Sequence, residues 1–149
     1  MLPWQQLFLM IFSLFSLIVS AKGLYESSRK GRAFTDTIFL GWLGIFVWGD
    51  AVVFGPFWFL AAFITLLLRD WYLFAVIISV FWVVRSVGEM IYWFNQQFSP
   101  LRRNPPEKMR CYGLFKSEAV WFGYQIFWQS VCVAAVISSI YFVHTWLSK

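Results

Sequence analysis

Charge is what this sequence has least of. Only 13% of its 149 residues are Asp, Glu, Lys or Arg, against about 25% in a water-soluble domain, so there is too little polar surface to cover a globule in water. Histidine occurs once, as His144, and cysteine twice, as Cys111 and Cys132 without paired spacing. A haem, a multi-histidine metal site and a disulfide-exchange motif therefore lack their ligands, and no cofactor is expected. A serine triad, a phosphate loop and a zinc signature are missing too, so no catalytic residue is assigned and the balance tilts away from an enzyme.

What the chain has instead is 60% hydrophobic and 23% aromatic residues. Its apolar residues gather in four runs, about 4–21, 38–68, 71–97 and 119–147, each long enough to cross a hydrocarbon layer. The pattern predicts an all-α polytopic membrane protein: a four-helix transmembrane bundle forming a single domain over 1–149.

Net charge is +5, but the basic residues sit between the runs, where membrane topology accounts for them without nucleic acid. Lys22, Arg29, Lys30 and Arg32 occupy the loop 22–37; Arg102, Arg103, Lys108, Arg110 and Lys116 occupy 98–118. If each run crosses once, both loops fall on one side, expected to be cytoplasmic, and both termini lie outside the cytoplasm. The loops also suit anionic lipid head groups. Val19, Ser20 and Ala21 resemble a signal-cleavage site, but Met1 to Gln6 carry no Lys or Arg, so the first run is expected to be retained. Without an organelle-targeting stretch the expected location is a cell membrane, a bacterial inner membrane by default.

The run ends carry helix signals. Asp70 is placed to cap the third helix, with Arg69 closing the second, and Ser117 to cap the fourth; Ser99-Pro100 ends the third. Trp4, Trp71 and Trp146 fall at one set of ends and Trp42, Trp93 and Trp121 at the other, as interfacial belts do.

Asp50 falls halfway along the second run and Arg85 halfway along the third, with Glu89 one turn further. A charge at the bilayer centre costs at least about 2.5 kcal/mol, so these three must be paired, hydrated or used. Two carboxylates against one guanidinium leave the cluster negative, which invites a proton or a cation at Glu89. Tyr92 and Gln96 share the face of Arg85 and Glu89, while Gln125 and Gln129 begin a polar stripe on the fourth helix. Gln6, Ser13, Ser16 and Ser20 line up on the first. The stripes are expected to meet inside the bundle. Gly55-Pro56 is expected to kink the second helix and free the carbonyl of Val52 near Asp50.

Three functions fit. The first is a proton- or cation-coupled transporter or channel using Asp50 and Glu89. The second is a structural or accessory subunit, in a homo-oligomer or a larger complex, whose charges lock helix packing. The third is a lipid- or lipophile-binding protein or enzyme walled by Trp48, Trp58, Trp82 and Trp128.

Overall fold

The computed structural model describes residues 1–100 and 103–149, so Arg102 lies outside the described residues. Among the described residues every regular element is helical, and four helices are long and apolar enough to cross a bilayer: α1 (Pro3–Ser27), α2 (Trp48–Leu67), α3 (Trp71–Phe98) and α5 (Ala119–Leu147). A single turn, α4 (Tyr112–Phe115), precedes the last. The chain divides into two compact units, Met1–Ile77 and Ile78–Lys149.

In the first unit α1 and α2 pack on each other through small side chains. Buried Ser20 and Gly23 of α1 meet buried Gly55 and Ala51 of α2. A Cβ on Gly55 would stand 2.7 Å from Ser20 Cβ and 2.8 Å from its Cα; one on Gly23 would stand 2.6 Å from Ala51 Cβ. Glycine is required at both places because the backbones touch, the arrangement that holds membrane helices together where lipid supplies no hydrophobic drive. Ser16 donates its hydroxyl to the Phe12 carbonyl at 2.8 Å, so its polarity is spent inside α1. Ser20, read as part of a polar stripe, thus serves as a small residue at a helix contact.

The second apolar run departs from expectation. Its helix begins at Trp48 rather than near residue 38, because the preceding segment folds back on itself. Ile38–Leu43 forms 3₁₀ turns, Gly44 takes a left-handed φ of 72°, and Asp36 pairs antiparallel with Val47. The Thr37 N–H donates to the Phe46 carbonyl at 2.7 Å, closing the base of this excursion. Its tip reaches well along the two helices. Trp42 packs against Phe12 and Phe15, near the middle of α1, and the Leu43 carbonyl accepts the buried Trp58 indole N–H at 2.9 Å. Trp42 therefore sits far from the helix ends where a belt residue was expected. Leu40, Leu43 and Ile45 are buried, and irregular backbone of this kind is sustained at depth only where protein covers it.

α2 ends in a complete Schellman motif. The Asp70 N–H returns to the Thr65 carbonyl at 3.1 Å and that of Arg69 to Leu66 at 3.2 Å, with Arg69 at φ 51°. Asp70 Oδ1 then accepts the N–H groups of Tyr72 at 3.1 Å and Leu73 at 3.2 Å, the cap its position called for. Nearby aromatic rings join Trp4 and Phe8 of α1 to Trp71 at the start of α3.

In the second unit α3 and α5 meet through aromatic rings: Trp93 stacks on Tyr124 with centroids 4.6 Å apart and Trp82 on Trp128 at 6.4 Å. α3 stops at Phe98, before Ser99-Pro100. The N-cap of α5 is Glu118, and Ser117 Oγ accepts the Ala119 N–H at 3.3 Å.

Candidate functional site

The polar residues of the second unit are arranged by one helix. Along α3, Arg85, Glu89, Trp93 and Gln97 recur every fourth position and so project from one face. Arg85 Nη2 lies 2.9 Å from Glu89 Oε1, and the indole N–H of Trp93 donates to Glu89 Oε2 at 3.2 Å. The carboxylate is thus held at both oxygens by neighbours one turn away on either side. The pair's side chains are 17% and 15% exposed, partly covered rather than enclosed. Arg85 stands at the midpoint of α3 and Glu89 about 6 Å from it by helical rise.

Nearer the Phe98 end of α3 the ladder reaches α5. Gln97 donates to Gln125 Oε1 at 2.7 Å and to the Trp93 carbonyl at 3.2 Å. Gln96 is buried. Tyr92, on the adjoining face, accepts a hydrogen bond from Asn104, whose own carbonyl accepts the buried Trp121 indole N–H at 2.9 Å. Asn104 thereby ties the loop after α3 to both helices. A groove of about 290 Å³ lies beside this end, lined by Gln97, Phe98, Glu118, Ala119, Trp121 and Phe122. That is at the small end of ligand pockets and offers no convergent catalytic set.

No family model, curated protein or solved structure matches this chain. Its own geometry therefore has to carry the functional reading.

Asp50 belongs to the first unit, and its setting is that of a helix terminus. Because α2 starts at Trp48, Asp50 lies in its first turn, about 11 Å from the helix middle by rise. One carboxylate oxygen accepts the N–H groups of Phe46 at 2.9 Å and Val47 at 3.3 Å, at the end where the helix dipole favours a negative charge. The midspan position read from the run's length does not hold. Nearby, the Lys22 ammonium lies 5.0 Å from the centre of the Trp48 ring. Pro56 lies inside α2, which is helical on both sides of it, and is exposed; Gly55 is occupied with the close approach to Ser20.

The tryptophans proposed to wall a ligand site are engaged in packing. Trp58 contacts Phe12 and Phe57, and Trp128 contacts Trp82 and Phe127. Among the basic residues, Arg32 pairs with Glu26 at 2.9 Å and Arg29 lies over the Tyr25 ring at 4.2 Å. Gln129, expected inside the bundle, is exposed on α5.

Trp93, read only as an interfacial belt residue, and Gln97, Asn104 and Tyr124 were not expected at this site. For the first two a signal existed, since the four-residue spacing from Arg85 to Glu89 continues to 93 and 97. Asn104 and Tyr124 meet their partners through tertiary contacts that no spacing encodes.

Proposed function

We propose that this chain is a multi-pass membrane protein of structural or accessory type, in which the charged residues serve helix insertion and packing. The observation that carries the reading is the pairing of Glu89 with Arg85 one helical turn away. Its carboxylate is neutralised by Arg85 and bound by Trp93, all on one helix. A coupling site needs a carboxylate whose charge is left for a proton or cation to balance. An i,i+4 pair does the opposite: it makes the middle of α3 electrically neutral and lowers the cost of placing it in lipid. Asp50, held by two backbone N–H groups at a helix start, is likewise provided for. In this reading the basic loops set the orientation and lie against anionic head groups.

A double-mutant cycle tests it. Arg85→Met and Glu89→Gln each leave one charge without its partner, so each is expected to lower membrane insertion and thermal stability. The double variant is neutral again and recovers most of the loss. Reconstituted wild-type protein is expected to leave proton and cation flux at the level of empty liposomes. Flux above that level, removed by Glu89→Gln in a folded protein, would establish the transport reading instead.

A further inference from the structure

We propose that the face of α5 centred on Gln129 is the contact between two copies of this chain. Gln129 stands one turn from the middle of α5, and its amide carries no hydrogen bond among the described residues. On either side along the same face lie Phe122, Ile126, Val133, Val136 and Ile140, all exposed. Apolar exposure on a membrane helix is satisfied by lipid. A primary amide is not, because it brings two N–H donors and a carbonyl into a medium that offers no partner.

The occupant follows from the chemistry of that amide. It is donor and acceptor at once, so a second glutamine satisfies it completely. Two copies inserted with the same topology are related by a two-fold axis along the membrane normal, which brings each residue of a central helix face against its own counterpart. Gln129 then meets Gln129, and Val133 and Val136 meet themselves above it. The stretch from Ile126 to Ile140 holds no charged residue, so nothing on this face selects a partner of opposite sign. Ser130, exposed on the flank, is small enough not to hold two helices apart. α5 also has the most uncovered span: 11% of its most apolar window is buried, against 39% for α1.

The inference deepens the structural reading and rests on it in requiring that α5 cross a bilayer. The test uses the full chain in liposomes with Cys111→Ser and Cys132→Ser, adding one cysteine at a time. Val133→Cys is expected to form a disulfide-linked dimer efficiently on oxidation, and Val131→Cys, on the far side of α5, poorly. Energy transfer between labelled copies, measured over a range of lipid dilutions, gives the affinity. Gln129→Leu is expected to weaken association by roughly three- to thirty-fold, while Gln129→Asn retains most of it. A monomer at every dilution, equal cross-linking at 131 and 133, association unchanged by Gln129→Leu, or association only with a co-purified second protein would each overturn the proposal. Any of these in a protein that resists carbonate extraction leaves the structural reading in place; extraction from the membrane removes both.

Discussion

Asp50 and Glu89 are both carboxylates inside long apolar stretches, and what stands just before each decides how it is accommodated. Glu89 has Arg85 four residues earlier; Asp50 has a helix start three residues earlier, where the N–H groups of Phe46 and Val47 donate to its carboxylate. An acceptor oxygen is what the α2 start needs, more than a charge. Asp50→Ala, which removes that acceptor, is therefore expected to cost about 1 kcal/mol in thermal unfolding of the detergent-solubilised protein. Arg69 makes a separate case. It holds a left-handed φ of 51° at the Schellman position, where glycine is the usual residue, so Arg69→Gly is expected to stabilise by about 0.5–1 kcal/mol in the same assay. The roles of Asp70 and Ser99-Pro100 were legible because caps and breakers act within a few residues. The position of Asp50 was not, since it depends on where an unbroken apolar run ceases to be straight.

At the scale of elements, two features hold the first unit together. The α1–α2 seam relies on backbone contact, so Gly55→Val is expected to cost about 2–3 kcal/mol in denaturant titration. Ser20→Gly should not rescue it, because the added Cβ also meets Ser20 Cα at 2.8 Å and N at 2.9 Å. The folded-back segment before α2 is pinned by Trp58. Trp58→Phe keeps most of the ring but leaves the buried Leu43 carbonyl without its donor, and is expected to cost about 1–3 kcal/mol. Hydropathy joins this segment to α2 because both are apolar and uncharged. Gly41 and Gly44, bracketing Trp42 and Leu43, were the available signal: two glycines within four positions argue against a continuous helix, and Gly44 does adopt the left-handed conformation. The four long helices were visible from run length alone, whereas the close α1–α2 approach was only hinted at by the spacing of Ala51 and Gly55.

For the whole molecule, the folded-back segment bears on how many times the second apolar run is expected to cross. Counted by length, 38–68 could hold one crossing or nearly two. With 38–47 folded back before α2, only Trp48–Leu67 of this run is long and apolar enough to cross, which with α1, α3 and α5 makes four candidate crossings. An even count would put Met1 and Lys149 on one side and both basic loops on the other, the arrangement expected from the distribution of Lys and Arg. Compartment-sensitive reporters fused at each terminus are expected to give the same non-cytoplasmic signal, and one inserted near Lys30 or Lys108 the cytoplasmic one. Opposite signals from the two termini would mean that the segment before α2 crosses after all. That would strand Thr37 and Ile45, now closed on each other through a 3.2 Å hydrogen bond, on different levels of the membrane.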